Sequence, residues 1–337
     1  MNFPFYKGQG EGQRSNAPAT LPVSRRSQLL KPEKYIADSG LVDACNVALL
    51  LGQPLLLTGE PGTGKTEFAY SLAWELGLDN PLKFESKSTS TGRELFYIYD
   101  MLKRFQDVQS GETARSPLDY IIYNALGIAI LQTREKAEVE KFLPSHFDHR
   151  GRQRSVVLID EVDKAPRDFP NDILNELDQL YFRIPELGNE LIKANPELQP
   201  IVIITSNSEK DLPDAFLRRC VYYNIPFPDR DRLLEIIQNR LGLYSTGSSR
   251  FLDDALDLFC ELRAPQSGLR KKPATAELLG WMVTLKQVVP DRENSLNDSK
   301  LVLRTLSSLI KTAEDQARAT EIVNLWMEKR QSSSKIG

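Results

Sequence analysis

A parallel α/β sheet flanked by helices on both faces, followed by a separate all-helical region, is the fold class this sequence predicts. Three observations carry that expectation. Short apolar runs at Leu55-Leu56-Leu57, Val156-Val157-Leu158-Ile159 and Ile201-Val202-Ile203-Ile204 each end in a polar residue: Thr58, Asp160 and Thr205. Continuous apolar runs of this length suit strands buried on both faces, as in a parallel sheet covered by helices. Stretches of helical period lie between these runs, and beyond Pro226-Phe227-Pro228 only helical patterns follow.

Taken in order, residues 1–34 read as a flexible tail. They hold Gly, Gln, Ser and Pro without apolar periodicity, and their six basic and two acidic residues give a local charge of +4. A helix is predicted over 41–51, where Leu41, Val42, Cys45 and 47–51 form one broad apolar face closed by Gln53-Pro54. The first strand follows at 55–57, then a glycine-rich turn and a helix over 68–76 ended by Gly77. Val156-Val157-Leu158-Ile159 and 201–204 are the next two strands, and 221–225 is a fourth, shorter one. Helices are predicted over 230–241, 251–262, 274–288 and 301–328. The expected organisation is a basic tail (1–34), an αβα core (35–228), a helical domain (229–330) and a short tail (331–337).

Composition excludes several classes. The chain has 337 residues, 41% hydrophobic and 26% charged, so a packed core is within reach and global disorder is excluded. A net charge of −3 and a pI of about 5.7 argue against a protein built to coat nucleic acid. The most apolar stretch, 41–57, is broken by Asp43, Asn46, Gly52, Gln53 and Pro54, so no membrane span is expected, and the first residues lack a secretory signal. The three cysteines, Cys45, Cys220 and Cys260, are widely spaced, and only two histidines accompany them. Neither a disulfide framework nor a zinc site follows, so a reducing, cytoplasmic location is expected.

Ligands on such sheets sit at the carboxyl ends of the strands. All the chemistry-bearing residues fall there. Gly59-Glu60-Pro61-Gly62-Thr63-Gly64-Lys65-Thr66 matches the pattern GxxxxGK[ST] between a buried strand and a helix. Glycines allow backbone N–H groups to turn inward around phosphate oxygens, and the helix that follows adds its N-terminal donors. In this pattern the lysine reaches the β- and γ-phosphates and the threonine hydroxyl binds magnesium. Lys65 and Thr66 therefore predict binding of ATP with Mg2+. Asp160 and Glu161 end the second apolar strand: Asp160 is placed to hold magnesium, and Glu161 to orient and deprotonate an attacking water. Asp163 and Lys164 read as local loop pairing. Asn207, after the third strand, is a candidate hydrogen-bond donor to that water or to the γ-phosphate. Arg218 and Arg219 precede the fourth strand, where an arginine can stabilise charge on a transferring phosphoryl group.

The four stretches GEPGTGKT, VVLIDEVDKA, IVIITSN and LPDAFLRRC, in this order, resemble the AAA+ ATPases of the MoxR type. IPELG at 184–188 adds to the likeness. The resemblance runs from about residue 35 to about 228, and more weakly through the helical part. It implies a P-loop NTPase αβα core with an all-helical AAA+ lid, assembled as a ring, usually a hexamer. Lys65 and Thr66 would be the Walker A pair, Asp160 and Glu161 Walker B, and Asn207 sensor 1. Arg218 or Arg219 would be the finger reaching the next subunit's site, with Arg219 slightly favoured. No arginine aligns with the lid's sensor 2 position, where Lys272 or Arg270 would substitute. The interval from Thr66 to Asp160 is long for the family, so 110–154 is expected to be an insertion, and 181–199 a hairpin insert. The arginines at 150, 152 and 154 read as a solvated loop.

The resemblance implies an ATP-hydrolysing, chaperone-like remodeller of a protein client, working with a separately encoded partner that bears a von Willebrand factor A domain. A motor or loader on nucleic acid and a slow, nucleotide-controlled signalling scaffold are the alternative classes. The first predicts salt-sensitive DNA binding; the second predicts slow turnover that no client alters.

Overall fold

Side-chain alternation along five parallel strands decides how this molecule is layered. A computed structural model of the chain describes residues 31–110, 116–207, 211–241, 250–288, 296 and 299–333. Residues 1–30 and 334–337, most of the two expected tails, lie outside the described residues. The chain divides into two units, one of them Tyr35–Phe227, the other holding the described residues from Pro228 onward.

In the first unit the strands β1 (Leu55–Thr58), β2 (Leu82–Glu85), β5 (Val156–Asp160), β8 (Ile201–Thr205) and β9 (Val221–Asn224) form one sheet in the order β2-β5-β8-β1-β9. Every pairing in it is parallel, in registers such as Leu55 with Ile203 and Val156 with Ile201. The outer strands alternate: β2 reads LKFE with only Phe84 buried, and β9 reads VYYN with its residues half-buried or exposed in turn. Edge strands have one neighbour and lack the apolar runs of the interior, which is why β2 escapes a search for such runs.

The period of two sends residues to opposite faces. Leu55, Leu57, Val156, Leu158 and Ile203 meet helices α1 (Ser39–Leu51) and α2 (Lys65–Glu75). Leu56, Val157, Ile159, Val202 and Ile204 face a second layer that includes α4 (Ala125–Gln132) and α5 (Leu174–Gln179). Helix α1 begins at Asp38, whose side chain accepts from Leu41 N, and ends at Gly52 in the left-handed conformation.

Two antiparallel hairpins pack beside the second layer. The first pairs β3 (Tyr97–Tyr99) with β4 (Ile121–Tyr123) around helix α3 (Met101–Gln109). The second pairs β6 (Tyr181–Ile184) with β7 (Glu190–Lys193), inside the segment expected to be a hairpin. Phe96 stacks on Phe182 at 5.4 Å, and Tyr97 Oη donates to Glu186 at 2.8 Å, so aromatic and polar contacts join the two hairpins.

The region 110–154, expected to be an insertion, contributes to the core through its middle part. Helix α4 lies within it and contributes Leu126, Ala129, Ile130 and Leu131 to the core, each fully buried. The sequence ALGIAILQ is apolar around the whole helix because that helix is covered on all sides. A Cβ on Gly127 would lie 2.1 Å from the Phe96 carbonyl oxygen. Alanine there gains about 1 kcal/mol in helix propensity but meets backbone that cannot yield. Gly127→Ala is expected to destabilise the fold by about 2–3 kcal/mol net, read as a lower urea midpoint. A midpoint at or above the parent's would mean that α4 does not press on Phe96.

In the second unit, helices α7 (Arg230–Leu241), α8 (Arg250–Arg263) and α9 (Thr275–Val288) follow the predicted spans closely. The single helix expected over 301–328 is two: α10 (Ser299–Thr305) and α11 (Ala313–Ser333). Thr312 breaks the run by accepting from Asp315 N through its hydroxyl at 3.2 Å, a capping contact that restarts the helix. Buried Trp281 donates to Thr305 Oγ1 at 2.9 Å. Among the described residues, no helix is long and apolar enough to cross a membrane.

Candidate functional site

Strand β1 ends at Thr58, and the chain turns through Gly59–Gly64 into α2. Gly59, Gly62 and Gly64, all at positive φ, make that turn possible, and the two at its ends are the most constrained. Gly59 has φ +137°, and a Cβ on it would sit 2.6 Å from the Ile225 carbonyl oxygen. Gly64 caps α2 at φ +92°, with the Tyr35 ring where a side chain would begin. Thr63 Oγ1 donates to Glu60 O at 2.9 Å and braces the loop. Glu60, Pro61 and Gly62 are exposed.

Lys65 opens α2 and is 6% exposed. Its Nζ donates to the carbonyls of Gly59 (2.8 Å) and Glu60 (3.0 Å), so the amine is held inside the curve of the loop. Burial lowers its pKa, against the nearby charges of Asp163, Asp160 and Glu161. The next residue, Thr66, donates through Oγ1 to Asp160 Oδ1 at 3.0 Å.

Asp160 is the meeting point of three strands. Its Oδ1 also accepts from Thr205 Oγ1 at 2.7 Å, and its Oδ2 is 2.8 Å from Lys83 Nζ. Burial works against its charge, but the hydrogen bonds from Lys83, Thr205 and Thr66 outweigh it and hold the carboxyl below its ordinary pKa. Thr205 Oγ1 in turn accepts from Glu161 N at 2.8 Å. That bond supports a tight bend: Glu161 has φ +55°, the left-handed region, which costs a non-glycine residue about 1–2 kcal/mol. The bend swings the Glu161 carboxylate away from β5 and toward Asn207.

Asn207 Nδ2 donates to Glu161 Oε1 at 3.1 Å. Its backbone N–H is shared by both oxygens of Asp163, 3.2 Å from each, and Asp163 is buried. Lys164 forms an ion pair with Glu161 Oε2. Lys164 pairs locally with Glu161, as expected, whereas Asp163 reaches Asn207 after β8, so between them they hold two site residues. Lys65, Thr66, Asp160, Glu161 and Asn207 are brought together at the carboxyl ends of β1, β5 and β8.

The arginines lie elsewhere in the first unit. Arg218 follows the short helix α6 (Asp214–Leu217) and is exposed. Arg219 is half-buried, with Nε 3.2 Å from Asp178 Oδ2 and an Nη donating to Ala215 O at 3.0 Å. Neither is bonded to Asp160, Glu161 or Asn207. Arg270 and Lys272 belong to the second unit, in the turn before α9. The backbone N–H groups of Arg270 and Lys271 bind Asp315 at 2.9 and 3.0 Å, the Arg270 guanidinium pairs with Glu314, and Lys272 is exposed. The loop arginines are taken up by neighbours: Arg150 by Asp148 and Asp79, Arg152 by the Glu197 carboxylate, Arg154 by the Glu197 carbonyl.

Two residues of the cluster had no role in the sequence reading. Thr205 is visible there only as a strand end. Lys83 has no local signal, because what gives it meaning is the β2–β5 pairing. The cysteines behave as packing residues: burial pushes the thiols of Cys45 and Cys220 up to about 11 and about 12, which leaves them protonated and inert.

The donor set fits magnesium bound with a nucleotide. Thr66 and Asp160 offer two hard oxygens, and among the described residues no group of three or more His, Cys, Asp or Glu could hold an ion alone. Magnesium keeps several waters and is usually bound by one or two protein oxygens plus phosphates. No curated protein matches the chain. Residues 54–220, from the start of β1 through α6, match the family model of the AAA domain of the dynein-related subfamily. Four of the five sheet strands, the glycine loop that opens α2 and the Asp160-Glu161 strand end lie within that stretch, so the part of the chain that holds the site is similar to an AAA nucleotide-binding domain.

Proposed function

We propose that this chain hydrolyses ATP to ADP and phosphate and couples turnover to remodelling or assembly of a protein client, as MoxR-type AAA+ proteins do. The observation that supports hydrolysis, rather than binding alone, is the bend at Glu161. It presents a carboxylate beside Asn207 while Asp160 stays with Thr66. Lys65 and the loop amides bind the phosphates. Thr66 and Asp160 would hold magnesium, which neutralises charge between the β- and γ-phosphates. Glu161 takes a proton from water as the water oxygen bonds to the γ-phosphorus. The bond from that phosphorus to the β–γ bridging oxygen breaks, and ADP leaves with the electron pair. Asn207 orients the Glu161 carboxylate.

In this reading Arg219 is the finger that completes a neighbouring subunit's site. Its guanidinium is already positioned by Asp178 and Ala215 O, whereas Arg218 is a solvated side chain. Arg219→Ala is expected to lower turnover on the order of 1000-fold with nucleotide binding intact, and mixing it with Glu161→Gln subunits should restore part of the activity at shared sites. Parent-like turnover by both Arg219→Ala and Arg218→Ala would overturn the intersubunit mechanism. The ring, the client and a von Willebrand factor A partner rest on the sequence resemblance.

One observation favours a second reading, a slow nucleotide-timed scaffold: both carboxylate oxygens of Glu161 are already paired, with Asn207 and Lys164. Phosphate release that stays slow whatever protein is added would select it over the remodeller.

A further inference from the structure

Among the described residues, all but one of the groups on the Asp160 carboxylate belong to the strand ends and phosphate loop described above. The exception is Lys83, on the edge strand β2. The β2–β5 register pairs Lys83 with Leu158 and Glu85 with Asp160, so Lys83 and Asp160 are two positions apart along the pair and share a face. The Lys83 amine reaches Oδ2 at 2.8 Å, while the Thr66 and Thr205 hydroxyls occupy Oδ1. The carboxylate is buried, its side chain 7% exposed, and that of Lys83 is 32% exposed. In the proposed site phosphate binding does not require this amine, because Lys65 and the loop amides would supply it. What the position does require is a counter-charge. A buried carboxylate with hydroxyl partners alone would be strongly disfavoured in its charged form.

We propose that Lys83 is a positioning residue, the resident counter-ion of Asp160. It holds Oδ2 of the carboxylate in place while no divalent cation is bound, and it competes with the cation for that carboxylate. The inference rests on reading Asp160 as the metal-side residue. Lys83 therefore weakens divalent binding and makes it depend on the nucleotide, whose phosphates supply the remaining ligands and negative charge.

The test uses Mn2+ as a spin probe, titrated into the full chain saturated with ADP, with free Mn2+ read by electron paramagnetic resonance. Lys83→Met is expected to bind Mn2+ on the order of tenfold more tightly, because a unit positive charge leaves the site. Lys83→Arg, which keeps the charge, should bind as the parent does. Lys83→Gln keeps a polar side chain without the charge and replaces the methionine variant if that one does not fold. Parent-like or weaker Mn2+ binding by the uncharged variant overturns the proposal. Asp160→Asn separates the two levels: it should lose Mn2+ affinity. If it does and the Lys83 variant is unchanged, the counter-ion role alone falls. If Asp160→Asn binds as the parent does, or the parent binds no Mn2+, the reading of Asp160 falls with it.

Discussion

Lys65→Ala is expected to lose ATP binding, with a drop in affinity on the order of 100-fold or more and no loss of fold. Charge-assisted hydrogen bonds to an ionised partner contribute about 1.5–3 kcal/mol each, and a lysine at this position makes them to phosphate oxygens. The same change is mild for stability. Burial disfavours the Lys65 ammonium, and its two carbonyl bonds, to Gly59 and Glu60, only partly offset that burial. Gly59 is half-buried and Glu60 exposed, so water is expected to replace the amine at their carbonyls. The two readouts should therefore separate: fluorescent-nucleotide titration shows binding lost, while the urea midpoint stays within about 1 kcal/mol of the parent. Nucleotide affinity equal to the parent's would remove the phosphate loop from the site.

How much of this was legible beforehand depended on whether the signal was local. The three interior strands are apolar runs because they are covered on both faces, so composition alone exposes them. Strand β2 is covered less, its LKFE gives Phe84 as the only buried residue, and neither the strand nor Lys83 carries a local signal. The glycine loop and the Asp160-Glu161 strand end are contiguous motifs whose chemistry fixes their spacing. The pairing of Glu161 with Asn207 and Lys164 is not readable that way, because it depends on a left-handed bend at a glutamate that a hydroxyl on another strand supports. In the stretch 110–154 the length is legible but the packing is not. Its length between Thr66 and Asp160 reads as an insertion, and its middle part is a core helix pressed against Phe96, a long-range contact that no local pattern encodes. The predicted helix over 301–328 likewise ran through a break at Thr312, since apolar period survives a change of direction.

Glu161→Gln is expected to keep Mg-ATP binding and lower turnover by about 100-fold or more, the range that a positioned general base contributes. The amide fills the same space and can still accept from Asn207 Nδ2 through its oxygen, so the bend at φ +55° keeps both its hydrogen bond from Glu161 N to Thr205 and its side-chain partner. What disappears is the carboxylate's capacity to take a proton, together with the charge that holds Lys164. The variant separates binding from chemistry, and it should hold the ATP-bound assembly long enough to weigh. Light scattering behind size exclusion is expected to move from the 38.2 kDa chain toward about six times that mass when Mg-ATP is added. Hydrolysis at the parent rate would show that Glu161 is not the base, and the paired carboxylate would then be a structural brace between β5 and β8. A monomer with and without Mg-ATP would instead leave the base assignment standing and remove the ring, since an arginine held at Asp178 cannot then reach a second site without another partner to bring the subunits together.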